Sequence, residues 1–429
     1  MTTTQATSDM ERLIQPLCRF CAEPLSFTMV DLGKSPLCQT MLDRTQLNEM
    51  EPFYPLRVYV CGSCSLVQLE EFVSPAEIFS DYNYFSSYSD SWLAHAERYV
   101  DKMIGRFGLG PQSQVVELAS NDGYLLQYFV EAGIPALGVE PAANVAAAAS
   151  ERGVDTLVEF FTEELGRRIS AQGLRADLLL GNNVLAQVPD LNGFVAGMKP
   201  LLAGSGVITI EFPHLFTLIA ENQFDTIYHE HFSYFSFTSA SRVFAAHGIT
   251  LWDVEELGTH GGSLRVFGRH TEDPTKPMTE HAKEMLAREQ QLGVDDLATY
   301  ADFGRKVERT KRDLLSFLIE ARNAGKTVAG YGAPGKGNTL LNYCGIRTDL
   351  LEYTVDRSPA KHGRYLPGTH IPVHVPDHVF QTRPDYLLIL PWNLRDEISA
   401  QMAGIADWGG RFVVPIPELE VFDPPGVTV

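Results

Sequence analysis

QVVELASNDGYLLQYFVEAGIPALGVEP, residues 114–141, decides the fold. An apolar run carrying an acid (VVEL) meets a short polar turn (SNDG), then a run with helical spacing, then a second apolar run ending in Glu140. That is a strand, helix, strand opening, and parallel sheets built this way bind nucleotides at the carboxyl ends of their strands. The turn holds one glycine, so it is not the G-x-G-x-x-G dinucleotide fingerprint. Asp122-Gly123 still allows a tight turn with backbone N–H groups facing a ligand. Glu140 ends the second strand, where an acid accepts hydrogen bonds from both hydroxyls of a ribose; an uncharged diol suits it better than a 2′-phosphate.

Working outward, ADLLLGNNVLAQVPD reads as a fourth strand with a polar end at Gly181-Asn182-Asn183, and GVITIEFPH as a fifth ending near Glu211 to His214. Upstream, a helix is expected from about Ser91 to Phe107. Before it, EIFSDYNYFSSYSDSW is dense in tyrosine and serine and joins two domains; its aromatics, Tyr82 among them, either pack the junction or line a cleft. A chain of 429 residues calls for two or three domains. Its net charge of −20 disfavours nucleic acid and anionic membranes as partners, and any anionic substrate needs local cationic relief. No apolar run is long enough to cross a bilayer, and the first residues carry neither a basic start nor an apolar core, so the cytoplasm is the expected compartment.

Five of the six cysteines lie within residues 18 to 64. Cys18-Arg-Phe-Cys21 and Cys61-Gly-Ser-Cys64 form two C-x-x-C pairs, which can supply four thiolates to a tetrahedral zinc. A disulfide pair would suit a secreted chain, and four free thiols would leave the paired spacing unexplained. With every coordination position filled by protein, the metal is structural. Cys38 reads as a small buried residue outside the ligand set.

Residues 224–236, FDTIYHEHFSYFS, place His229 and His231 around Glu230. A zincin helix needs two histidines four residues apart, so this is not that motif. An aromatic core with bonded histidines and a proton-transfer centre both remain open. Further along, His260-Gly261-Gly262-Ser263 reads either as a ligand-facing glycine turn or as a hairpin corner, and His214 after Pro213 is a candidate cleft residue.

KTVAGYGAPGKGNTLLNY, residues 326–343, gives a second strand, glycine loop and helix. Gly330-x-Gly332-x-x-Gly335 matches the dinucleotide fingerprint, with Asp356 ending the next strand. Alone it would point to NAD, and an NAD(P)-dependent nucleotide-sugar oxidoreductase is the alternative enzyme. Lys336 in the loop better suits a pyrophosphate, supplying the positive charge an acidic protein must provide locally. Tight strand-to-helix packing is the competing explanation for the glycines.

ELASNDGYLL, GNNVLAQVPDL, IEFPHL, FDTIYHEHFSYFS and HGGSLRVF, behind a double C-x-x-C module, together resemble the S-adenosylmethionine-dependent sugar C-methyltransferases that make branched deoxysugars on nucleotide carriers. The resemblance spans nearly the whole chain. It implies an α/β protein with an N-terminal zinc-binding module (1–75), a central class I, Rossmann-like methyltransferase domain (76–275) and a C-terminal second Rossmann-like domain (276–429). By position, Glu117, Asn121, Gly123, Glu140 and Asn183 would hold the cofactor. Tyr228, Glu230 and His231 would be catalytic, with Tyr82, Gln187, His214, His260 and Lys336 at a nucleotide-sugar substrate. Gln187 departs from the family, which often has histidine there; glutamine hydrogen-bonds but cannot relay a proton near neutral pH.

Overall fold

A computed structural model describes residues 15–79 and 85–425; Tyr82 therefore lies outside the described residues. In chain order the strands are β1 (Phe27–Ser35), β2 (Tyr54–Val60), β3 (Val67–Leu69), β4 (Val115–Leu118), β5 (Ala136–Val139), β6 (Asp155–Leu157), β7 (Ala176–Asn182), β8 (Leu202–Pro213) and β9 (Ser233–Tyr234). After these come β10 (Ile249–Leu257), β11 (Ser263–His270), β12 (Val328–Tyr331), β13 (Thr354–Val355), β14 (Val373–His374), β15 (Tyr386–Ile389), β16 (Arg411–Val414) and β17 (Glu420–Phe422).

The chain divides into two interleaved units. The first holds Met1–Phe27, Val60–Leu215 and His231–Leu297; the second holds Thr28–Tyr59, Phe216–Glu230 and Ala298–Val429.

The first unit is built on a seven-stranded sheet of order β10-β11-β8-β7-β4-β5-β6. Strands β4 to β8 pair in parallel, while β11 runs antiparallel to both β8 and β10. Counted from β4, the order is 3-2-1-4-5-7-6. The chain winds one way to β6 and then returns to β7 on the other side of β4, so the carboxyl ends of β4 and β7 flank a topological switch point, where open α/β sheets take their ligands.

The strands form where they do because both faces are covered: Val115, Val116, Leu118, Leu178, Leu179 and Leu180 have no exposed surface. One covering element is the helix Asp90–Phe107, begun by Ser89, whose hydroxyl accepts the Trp92 N–H, and ended by Gly108 in the left-handed region. Its buried Ala96, Tyr99, Val100 and Met103 recur every three or four residues and pack into the sheet core with Phe129, Leu178 and Phe267.

The second unit carries a six-stranded sheet of order β14-β13-β12-β15-β16-β17, parallel except for β17. Its core gathers Ala329, Tyr331, Val355, Leu387, Ile389, Met402 and Phe412. Here too the order reverses beside its first strand, β12. The α/β architecture with a second Rossmann-like sheet thus agrees with the sequence expectation. No helix of the described residues is long and apolar enough to cross a membrane.

Candidate active site

The cysteine pairs adopt matching turns. Ala22 N–H bonds the Cys18 carbonyl at 2.9 Å and Ser65 N–H bonds the Cys61 carbonyl at 2.9 Å; both residues after the second cysteine take positive φ, 60° and 61°. The four Sγ atoms lie within 4.8 Å of one another, with Cys18–Cys64 and Cys21–Cys61 each 3.5 Å apart. Ligands at about 2.3 Å from a tetrahedral zinc would stand roughly 3.8 Å apart, so the set fits the ion. Gln68 supports it, donating to Cys18 Sγ at 3.1 Å while accepting the Arg19 N–H at 2.9 Å.

At the switch point of the first unit, the carboxyl edge of the sheet is polar, buried and strained. Glu117 has no exposed surface, and neither of its carboxylate oxygens has a hydrogen-bond partner of good geometry. Burial first, then the neighbouring Glu140 and Asp122 carboxylates, push it well above the usual carboxylate range. Ser120 Oγ, Asp122 Oδ1, Asn183 Oδ1 and both amide atoms of Asn182 are likewise buried without partners. Ala119, Asn121 and Asn183 hold positive φ of 56°, 50° and 56°. Such strain persists where surrounding structure imposes it, commonly at ligand sites. A polar, hydrogen-bonding molecule at this edge would satisfy these atoms.

Glu140 is oriented for that role: its oxygens accept the Asn121 N–H at 3.0 Å and the Ala142 N–H at 2.9 Å, and burial raises its pKa. Gly123, at φ +74°, is required twice over, because a Cβ there would also lie 3.1 Å from Val154 Cγ2 and 3.2 Å from Ala149 Cα. The serine-rich segment closes on this turn: Ser86 N–H bonds Asn121 Oδ1 at 2.9 Å, and Ser87 Oγ bonds Asp122. Nothing local in the sequence announced that pairing.

The FDTIYHEHFSYFS motif divides between the units after Glu230. In the second unit His229 is buried, its Nε2 donating to the Pro55 carbonyl at 3.1 Å and its ring edge-on to Tyr54; burial lowers its pKa. It anchors the segment. Glu230 is buried and accepts a hydrogen bond from Cys38, and Tyr228 is half-buried just before them. In the first unit His231 is half-buried with its ring edge-on to Tyr234, and β9 follows, pairing antiparallel with β3.

The remaining candidates fall in different settings. Gln187 ends a short 3-10 turn after β7 and is half-buried. His214 is buried, with Nε2 2.9 Å from Glu289, the carboxylate that also accepts the Phe237 and Thr238 N–H groups. His260 sits exposed in the turn between β10 and β11, its ring edge-on to Trp92; the HGGS stretch is thus the corner of an antiparallel hairpin.

Sequence reasoning passed over a charged cluster in the same unit. Glu211, fully buried near the end of β8, accepts from Arg265 at 2.8 Å, His95 at 3.1 Å and Thr259 at 2.8 Å. Burial alone would raise its pKa, but these partners outweigh it and hold the carboxyl at about 2, below its ordinary 4.5. A depressed folded value means stability fully present above pH 4.5 and lost as pH falls toward 2, roughly 3 kcal/mol. Thermal melts across that range should show the loss in the natural protein. Glu211→Gln, which leaves the buried Arg265 guanidinium with Glu255 at 3.3 Å as its carboxylate partner, should cost about 3 kcal/mol at pH 7 and flatten the acid limb.

In the second unit the fingerprint glycines are closely packed. Added Cβ atoms would lie 2.8 Å from Thr354 Oγ1 at Gly330, 2.5 Å from Pro391 Cδ at Gly332 and 2.9 Å from Cys38 Sγ at Gly335. Asp356 accepts the Ala333 and Ser358 N–H groups at 2.7 and 2.8 Å. Tight packing is thus a sufficient reason for the fingerprint glycines, one that needs no ligand. Lys336, half-buried, bonds Asn393 Oδ1 at 2.8 Å and lies over the Trp392 ring, while Trp392 donates to the buried Asp225 at 2.8 Å.

Three family models match the chain: "Putative zinc binding domain" over residues 18–79, "Methyltransferase domain" over 92–254 and "C-methyltransferase C-terminal domain" over 258–417. A curated relative, C-methyltransferase NovU of Streptomyces niveus, is 37% identical over 96% of this chain and 98% of its own. Among solved structures, magnesium protoporphyrin IX methyltransferase from Synechocystis PCC 6803 with bound SAM aligns over 42% of this chain and 81% of its own at 12% identity and TM-score 0.31. The glycopeptide N-methyltransferase MtfA complexed with SAM aligns over 44% and 96% at 12% identity and TM-score 0.33. Superpositions that loose carry no argument; the full-length relative does. The chain belongs to the C-methyltransferase family, as an enzyme that uses S-adenosylmethionine and carries a four-cysteine structural zinc site.

Proposed function

We propose that the enzyme methylates a carbon beside the keto group of a nucleotide-linked deoxysugar, with His231 removing the proton from that carbon. The observation that carries this reading is kinship with a C-methyltransferase over almost the full chain. Carbon, unlike oxygen or nitrogen, has no lone pair to offer, so a base must first generate an enolate. An imidazole near neutral pKa suits that task. His231 is assigned the proton transfer, while His229, bonded to a backbone carbonyl in a buried setting, anchors the segment. Glu230 orients or polarises a neighbouring group, and the Tyr228 hydroxyl hydrogen-bonds the sugar or the developing oxyanion.

S-adenosylmethionine supplies an electrophilic methyl group on a sulfonium. The chain's part in that step is to hold donor and carbanion in line. Glu140 would bind the ribose hydroxyls, and Glu117, Asn121, Gly123 and Asn183 would line the rest of the donor cradle. Glu140→Ala should raise the Kd for S-adenosylhomocysteine about 10- to 100-fold by calorimetry, since charge-assisted bonds to both hydroxyls are lost.

Lys336 is assigned to the diphosphate, and Tyr82, Gln187, His214 and His260 to substrate contacts, with Gln187 bonding rather than relaying protons. The module boundaries we adopt are 1–75, 76–275 and 276–429, and the cytoplasm is the proposed compartment. Mass spectrometry of products from a panel of thymidine- and uridine-diphosphate keto-deoxyhexoses tests the substrate: a gain of one methyl on carbon supports it, and methylation of none of the panel overturns it.

A further inference from the structure

Cys38 takes no part in the zinc set, yet it is buried and its thiol meets the Glu230 carboxylate, donating to Oε1 at 3.3 Å across 192 residues of sequence. Both partners are held from behind within the second unit. The Cys38 loop is pinned by a two-way backbone bridge, Leu42 N–H to the Tyr365 carbonyl and Tyr365 N–H to the Leu42 carbonyl, each 2.9 Å. The Glu230 segment is pinned by Thr339 Oγ1 on the Ile227 carbonyl at 3.0 Å and by His229 on Pro55. Burial, reinforced by the Glu230 charge, pushes the thiol well above its ordinary range, so it stays S–H and serves as a donor. Gly335, at the first turn of the helix Gly335–Cys344, leaves the space the sulfur occupies: a Cβ there would stand 2.9 Å from Sγ.

We propose that Cys38 is a positioning residue for the methyl-transfer reaction: its thiol fixes the Glu230 carboxylate, and Gly335 keeps the room for it. The inference rests on the proposed role of Glu230. A carboxylate 3% exposed is oriented by the groups packed around it, so removing one neutral donor shifts where its charge points. Because the thiol acts through Glu230, its loss should act on turnover and not on cofactor affinity.

The experiment compares Cys38→Ala, Cys38→Ser, Gly335→Ala and Glu230→Gln in the full chain, with turnover read as S-adenosylhomocysteine release from a keto-deoxyhexose nucleotide of the panel. Cys38→Ala and Gly335→Ala should each lower kcat about tenfold, as expected for a lost bond to a charged group, with KM for S-adenosylmethionine unchanged. Cys38→Ser, which restores a donor, should recover kcat to within about threefold of the natural protein. Melting temperatures identify any variant that fails to fold; Gly335→Ala and Cys38→Ser then decide the matter in place of Cys38→Ala. If Glu230→Gln abolishes turnover while Gly335→Ala and a folded Cys38→Ala match the natural kcat, or if Cys38→Ser is as impaired as Cys38→Ala, the inference falls alone. If Glu230→Gln turns over at the natural rate, the role given to Glu230 falls and the inference with it.

Discussion

His231→Asn is expected to lower kcat by about 10²- to 10⁴-fold, the usual range for a lost general base, while S-adenosylhomocysteine still binds. Asparagine keeps much of the shape and hydrogen-bonding capacity of imidazole but cannot take a proton. The sharper measurement leaves the donor out. With keto-sugar nucleotide in deuterated water, the natural enzyme should wash deuterium into the carbon beside the ketone, and His231→Asn should not. His229→Asn provides the contrast, because that ring bonds the Pro55 carbonyl from a buried position; its loss should cost stability and leave exchange per folded molecule intact. Full exchange in His231→Asn would remove histidine 231 from the chemistry.

Cys61→Ser should empty the metal site and take with it on the order of 10 kcal/mol of the free energy that orders the N-terminal module, the scale of structural zinc binding at neutral pH. The ligands come from two short turns 40 residues apart in sequence, Cys21 and Cys61 meeting at 3.5 Å. Without the ion, four thiols crowd together with nothing to hold them at that spacing, and Cys21 is only half-buried. Metal analysis should fall from about one zinc per chain to near none. Hydrogen exchange should speed up in β3 and in the turns around Cys18 and Cys64. A zinc-free protein with unchanged melting temperature and protection would mean that the cysteines contribute packing alone.

Features carried by local pattern were legible from the residues. The alternation of buried strand and amphipathic helix from Gln114 to Glu140 gave β4 and β5, and C-x-x-C spacing gave the metal set, because each reports physics acting within a few residues. The helix from Asp90 was expected one residue late, since Ser89 as its cap is a single polar residue among many serines. Pairings across the chain left no local trace. Cys38 looked like a plain buried residue and proved to bond Glu230. Glu211, His95 and Arg265 lie on three separate elements and meet only once β8 and β11 pair. The Gly330 to Gly335 fingerprint was legible as a pattern but equivocal in meaning, because glycine admits a pyrophosphate or a neighbouring side chain equally well.

The interleaving of the two units bears on how this enzyme can be re-engineered. Each unit is stitched from three separate stretches of chain, and the backbone passes from one to the other between residues 27 and 28, 59 and 60, 215 and 216, 230 and 231, and 297 and 298. No single cut yields either half intact, so exchanging acceptor preference between relatives by splicing gene segments end to end would tear both halves. Grafting would have to transplant all three stretches of a half together, which makes the whole open reading frame the natural parcel for shuffling.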